Sequence, residues 1–142
     1  MPKDNKIDQK IIGYRVADTQ EPIITLPPQE RDEVLQGKTY KINPGDYAYY
    51  VTINDIILNG KRRPYEIFVN TKDIHNFQWV TLFSRLASAI MRNGGDYHFI
   101  ADEMKAIEDP KTGRFKPKHG FVPSLVAEIG LVVEEHFKNL EN

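Results

Sequence analysis

The order of patterns along the chain predicts an α+β fold, a small antiparallel sheet (a hairpin plus a flanking strand) with three C-terminal helices packed on one face. Three observations carry this reading. Apolar residues alternate between Tyr47 and Val69, then fall at helical spacing from Phe77 to Leu140. Asn59-Gly60 divides the alternating stretch as a hairpin turn would. Gly94-Gly95 and the polar segment Asp109–Pro123 divide the helical stretch into three.

Residues 1–36 read as an N-terminal extended arm and residues 37–142 as a single α+β domain. In the arm, Ile11-Ile12-Gly13-Tyr14-Arg15-Val16 suits strand pairing, and Pro22, Pro27 and Pro28 keep Ile23-Ile24-Thr25-Leu26 extended. The first strand of the domain is Lys38–Ile42, ending at the turn Asn43-Pro44-Gly45-Asp46. The second places Tyr47, Tyr49, Val51, Ile53 and Ile57 on one buried face. The third, Pro64–Asn70, buries Tyr65, Ile67 and Val69, which leaves Tyr50, Thr52, Glu66 and Phe68 on the opposite face. A two-residue turn at Asn59-Gly60 would set odd positions against even ones, yet the buried set is odd on both strands. The parity therefore demands a three-residue loop or a bulge, with Gly60 at positive φ. Pro64, lacking a donor, belongs near an edge or a strand start.

The first helix begins at Asp73 or Asn76 and ends at Asn93, where Gly94-Gly95 supplies a left-handed exit. The second is capped by Asp96, carries Ile100, Met104 and Ile107 on a narrow stripe, and ends before Pro110. The third is capped by Ser124, with Leu125, Ile129, Val132, Val133, His136, Phe137 and Leu140 at helical spacing. Asp109–Pro123 reads as a loop. The first helix is unusual, because its apolar residues spread over roughly two-thirds of its circumference. Its polar strip (Gln78, Thr81, Arg85, Ser88, Arg92) should be the exposed side, and Val80, Phe83, Ala87 and Ile90 the buried one. Trp79 and Leu82 lie toward the edge of the apolar arc. With Phe83, they are the candidate partner interface.

Composition narrows the chemistry. The chain has 142 residues and no cysteine, so disulfides, thiolate nucleophiles, redox dithiols and cysteine-based metal sites are excluded. A net charge of −1 supplies no global field for nucleic acid or anionic lipid. No run approaches the ~18–20 apolar residues of a membrane span, and Met1-Pro2-Lys3-Asp4 starts no signal peptide. A cytoplasmic protein is expected. His75, His98, His119 and His136 show no metal-ligand spacing, and His136 reads as a partly buried helix-end histidine. Asp102, Glu103 and Glu108 read as solvated acids rather than a catalytic pair. Asn93-Gly94-Gly95-Asp96 reads as a turn between helices, since a carboxylate at that pole would repel phosphate. Two basic clusters, Lys61-Arg62-Arg63 and Lys111, Arg114, Lys116, Lys118, are the candidate phosphate or nucleic-acid contacts, the second interleaved with Phe115 and Phe121.

Seven collinear segments over roughly residues 30–140 carry a resemblance. They are Gly37-Lys38-Thr39-Tyr40-Lys41-Ile42, Ala48–Asp55, Arg63–Asn70, His75-Asn76-Phe77-Gln78-Trp79, Gly94-Gly95-Asp96, Glu103-Met104-Lys105-Ala106 with Asp109-Pro110, and Phe121–Gly130. Together they resemble the C-terminal TSCPD-type domain, or split small subunit, of adenosylcobalamin-dependent (class II) ribonucleoside-diphosphate reductases. The resemblance implies a large catalytic partner chain that holds the adenosylcobalamin, the radical-bearing cysteine and the nucleotide sites. It implies no cofactor on this chain. The cysteine-containing motif that names the domain is missing here, so the implied role is accessory: assembly, regulation or substrate handling in deoxyribonucleotide synthesis. Association with further copies of the chain is compatible with that role. The alternative reading is a free-standing module that binds nucleotide or single-stranded nucleic acid.

Overall fold

The computed structural model describes residues 31–141; the arm readings at Ile11–Val16 and Ile23–Pro28 lie outside the described residues. Strands β1 (Gln36–Ile42), β2 (Tyr49–Leu58) and β3 (Lys61–Thr71) form an antiparallel sheet in the order β1-β2-β3. Helices α1 (Phe77–Arg92), α2 (Phe99–Lys105) and α3 (Leu125–Leu140) follow, with a two-stranded ribbon, β4 (Arg114–Lys116) and β5 (Gly120–Val122), between the last two. The α+β class stands. The segment Asp109–Pro123, read as a loop, contains the ribbon; its three-residue strands are too short for alternation to reveal.

The hairpin resolves the parity problem with a bulge. Val51 pairs with Val69 and Ile53 with Ile67, whereas nearer the tip Leu58 pairs with Lys61. The register shifts between Asn54 and Asp55, where Tyr65 is the residue left over. The tip can then be a two-residue turn with both Asn59 (φ 53°) and Gly60 (φ 79°) left-handed, whose twist matches that of the strands. Pro64 lies on the edge strand beside this bulge.

Tyr49, Val51, Ile53, Tyr65, Ile67 and Val69 are buried as the alternation requires. Tyr47 and Ile57 depart from it, at 44% and 61% exposed. They lie at opposite ends of the alternating run, before β2 begins and beside the hairpin tip. Glu66 departs in the other sense. It faces away from the helices yet is buried, because Arg31 donates to both its oxygens (2.8–3.1 Å) and Asn54 Nδ2 donates at 2.6 Å.

α1 lies along the free edge of β3. Ser84 Oγ accepts from the Val69 N–H at 3.1 Å. Ser88 Oγ accepts from the Ile67 N–H at 2.9 Å and donates to the Ile67 carbonyl at 3.1 Å. Two hydroxyls one helical turn apart thus satisfy backbone groups that an edge strand would leave unpaired. This corrects the reading of Ser88 as exposed: it is buried, at 4%. α1 exits through Gly94 and Gly95, both at positive φ, as expected. α2 is shorter than its stripe suggested. Ile107 lies beyond its end and is 46% exposed, and Asp96 accepts from the His98 N–H ahead of the helix rather than serving as its N-cap. Ser124 caps α3, accepting from the Ala127 N–H at 2.9 Å. The core is continuous from Ile42, Val51, Ile53 and Ile67 on the sheet through Val80 and Met91 to Ile129, Val133 and Phe137.

Candidate functional site

The outward side of α1 is the principal apolar surface on the helices. Leu82 and Leu86, one turn apart, are each 57% exposed, and Phe77 at the start of the helix is 62% exposed. Trp79, Phe83 and Ile90 flank the leucines and are half-buried against the core. Of the three residues expected at an interface, only Leu82 is mainly exposed. Trp79 is tied down, with its Nε1 donating to Asn76 Oδ1 at 2.6 Å. Asn76 Nδ2 in turn donates to the Tyr49 hydroxyl and to Asp73. Burial, and then the hydrogen bond to Asp73, push the Tyr49 phenol up to about 12, so it stays a donor. Val80 and Ala87 are buried as expected, and Phe83 and Ile90 only partly so. Gln78, Thr81, Arg85 and Arg92 are exposed.

A second feature was not anticipated. His136 is 2% exposed rather than partly buried. Its Nδ1 lies 2.7 Å from the Tyr40 hydroxyl and its Nε2 2.8 Å from Asp55 Oδ1. Asp55, 6% exposed, has Arg62 4.0 Å from its other oxygen. The imidazole and carboxylate of this phenol–imidazole–carboxylate chain, His136 and Asp55, help line a crevice of about 240 Å³ between β1, β2, β3 and the end of α3. Lys38, Arg62 and Asn139 complete much of the lining. Burial first, with Glu135 and Asp55 adding to it, raises the Tyr40 phenol, which therefore stays protonated instead of serving as a base. The chain ties β1, β2 and α3 together. The sequence did carry a signal for it: Asp55 occupies an inward position of the alternation and His136 an inward position of a helical stripe. Two polar residues in core phase must find partners.

The basic candidates separate into occupied and open ones. Arg63 is buried, donates to the Met91 and Gly95 carbonyls at 3.1 and 3.2 Å, and lies over the Tyr97 ring. It secures the end of α1 and is not presented to a phosphate. Arg62 donates to Gln36 at 3.2 Å. Arg114 and Lys116 both engage Glu128, a carboxylate 1% exposed on α3, at 2.6–3.0 Å. Lys61, Lys111 and Lys118 are exposed. Asp102, Glu103 and Glu108 are exposed, in agreement with a solvated role. Among the described residues, no group of three or more His, Asp or Glu is placed to hold a metal ion, and no helix is long and apolar enough to cross a membrane.

No curated protein and no solved structure matches this chain. A family model does, over residues 18–137, a span that begins inside the stretch read as an arm and ends within α3. With that match covering most of its length, the chain belongs to the TSCPD domain family.

Proposed function

We propose that this chain is an accessory, non-catalytic subunit or domain of an adenosylcobalamin-dependent ribonucleotide reductase. It would assist assembly, regulation or substrate handling on a large catalytic chain in the cytoplasm. The observation that carries the reading is the TSCPD match in a chain without cysteine. The TSCPD domain is found in ribonucleotide-reductase-associated proteins. A cysteine-free chain supplies neither a thiyl radical nor a reducing dithiol. Adenosylcobalamin would be held by the large chain. The crevice described above, at about 240 Å³, falls below the roughly 300–1,000 Å³ of sites for much smaller ligands than a corrin.

Docking would use α1, where Leu82 and Leu86 offer removable apolar surface beside the half-buried Trp79 and Phe83. The alternative reading, a nucleotide- or nucleic-acid-binding module, loses support because Arg63, Arg114 and Lys116 already have protein partners. Co-expression with a class II large chain that ends before its own TSCPD region tests the proposal. A stable complex is expected, lost on combining Leu82→Asp with Leu86→Asp while the isolated variant keeps its urea midpoint. Separate elution of the two wild-type chains, with no change in reductase turnover on mixing, would remove the assignment.

A further inference from the structure

The β4–β5 ribbon is built in a way that the fold alone does not require. Phe115 pairs directly with Phe121, so both rings stand on one face, 78% and 58% exposed. Their centroids are 5.3 Å apart, edge to face. Arg114 and Lys116, the neighbours of Phe115, point to the other face and converge on the buried carboxylate of Glu128. A buried carboxylate is costly unless it is paired and hydrogen-bonded, and here its partners all come from the ribbon. Asp109 and Thr112 brace the base: Asp109 N–H donates to the Pro123 carbonyl, and Thr112 Oγ1 donates to Asp109 and accepts from the Leu125 N–H. Gly113 completes the brace. A Cβ there would lie 2.9 Å from the Pro123 carbonyl oxygen and 3.1 Å from the Phe121 ring. The ribbon is thus held in one orientation while presenting two aromatic rings to solvent.

We infer that this aromatic face is a docking surface for an acidic, apolar segment of a partner protein. Charge decides the character of the occupant. Lys111 precedes β4 and Lys118 lies in the turn between β4 and β5; both are exposed, and among the described residues neither has an ion-pair partner. A segment with carboxylates flanking an apolar side chain would meet the lysines at the rim and the rings at the centre. Single-stranded nucleic acid fits less well. The two rings stand edge to face rather than as parallel platforms for successive bases, and both cations of β4 are held by Glu128. The inference does not depend on the reductase assignment.

Fluorescence anisotropy on the full chain tests it, with a fluorescein-labelled peptide that alternates Asp and Glu with Leu and Phe. The controls are the same peptide with Lys for each acid and a labelled oligothymidylate. The acidic peptide should bind about tenfold or more tightly than the basic one. Phe115→Ser with Phe121→Ser, and separately Lys111→Glu with Lys118→Glu, should each weaken it by about the same factor with the urea midpoint unchanged. The Leu82→Asp, Leu86→Asp variant should bind it as the wild type does, which separates this surface from α1. No binding, equal affinity for the two peptides, or indifference to both pairs of substitutions would overturn the inference. Preference for the oligothymidylate would overturn it in favour of a nucleic-acid surface.

Discussion

Helices α1 and α3 are both sixteen residues long, and they invert the usual relation between polarity and burial in opposite ways. α1 exposes Leu82 and Leu86 and buries Ser84 and Ser88. α3 keeps its apolar stripe inside and adds to it a glutamate and a histidine, Glu128 and His136, each at 2% exposure or less. In every inverted polar case the partner comes from elsewhere in the chain. The serines meet the edge of β3, His136 meets β1 and β2, and Glu128 meets the ribbon. Inside positions are thus assigned by what is available to bond as well as by what avoids water. The exposed leucines have no such internal explanation, which is why α1 rather than α3 is the face proposed for docking.

The largest test of this comparison is His136→Leu. It retains apolar volume but leaves the Asp55 carboxylate with only Arg62, at 4.0 Å, and the Tyr40 hydroxyl without its imidazole partner. A loss of about 3 kcal/mol in urea unfolding is expected, largely recovered by adding Asp55→Leu. A loss below 1 kcal/mol, by the scale for buried groups left unsatisfied, would mean that the network contributes little.

Glu128 gives an intermediate effect with a pH signature. Burial acts to raise its carboxyl, but hydrogen bonds from Arg114 and Lys116 outweigh it and hold the group below its ordinary value of 4.5. A carboxyl depressed on folding stabilises the native state fully above its unfolded value, and this contribution disappears as pH falls through the folded one. Wild-type stability should therefore drop below pH 4.5, with Glu66, held by Arg31 and Asn54, contributing to the same fall. Glu128→Gln should cost about 2 kcal/mol at neutral pH, because Arg114 and Lys116 can turn partly to water, and should flatten the acid limb. Equal acid slopes in the two proteins would assign the pH dependence elsewhere.

The smallest effects are the most pointed. Ser88→Ala removes one hydroxyl and leaves the Ile67 N–H and carbonyl unsatisfied, so it should cost about 1–2 kcal/mol. Leu82→Gln replaces a large apolar side chain and should change stability by less than about 0.5 kcal/mol. If the leucine change proves the costlier of the two, α1 is turned differently from the orientation described.

Much of the fold was legible because it rests on periodicity. Alternation locates β2 and β3, helical spacing and the Ser124 cap locate α3, and parity requires either a three-residue loop or a bulge, of which the register shows the bulge. Helical projection puts Ser88 on the exposed strip, because one helix projected by itself does not reveal that a strand edge lies against it. Arg63, Arg114 and Lys116 read as open charge because their partners (the end of α1 and Glu128) are brought to them only by tertiary structure. The sequence sets Phe115 and Phe121 among lysines. Their shared face needed the ribbon register, which three-residue strands do not advertise. On α1, helical projection places Leu82 in an over-apolar arc, and it is 57% exposed. Trp79 required its Asn76 partner to be seen, and Leu86 was hidden among its apolar neighbours.

Trp79 has one more consequence. It is the only tryptophan in the chain, and it lies half-buried beside the exposed leucines with its indole N–H bonded to Asn76. The molecule therefore carries a single indole fluorophore, at the margin of the α1 surface. Its emission reads the wetness of that margin without any label. A partner settling over Leu82 and Leu86 would shift it toward the blue.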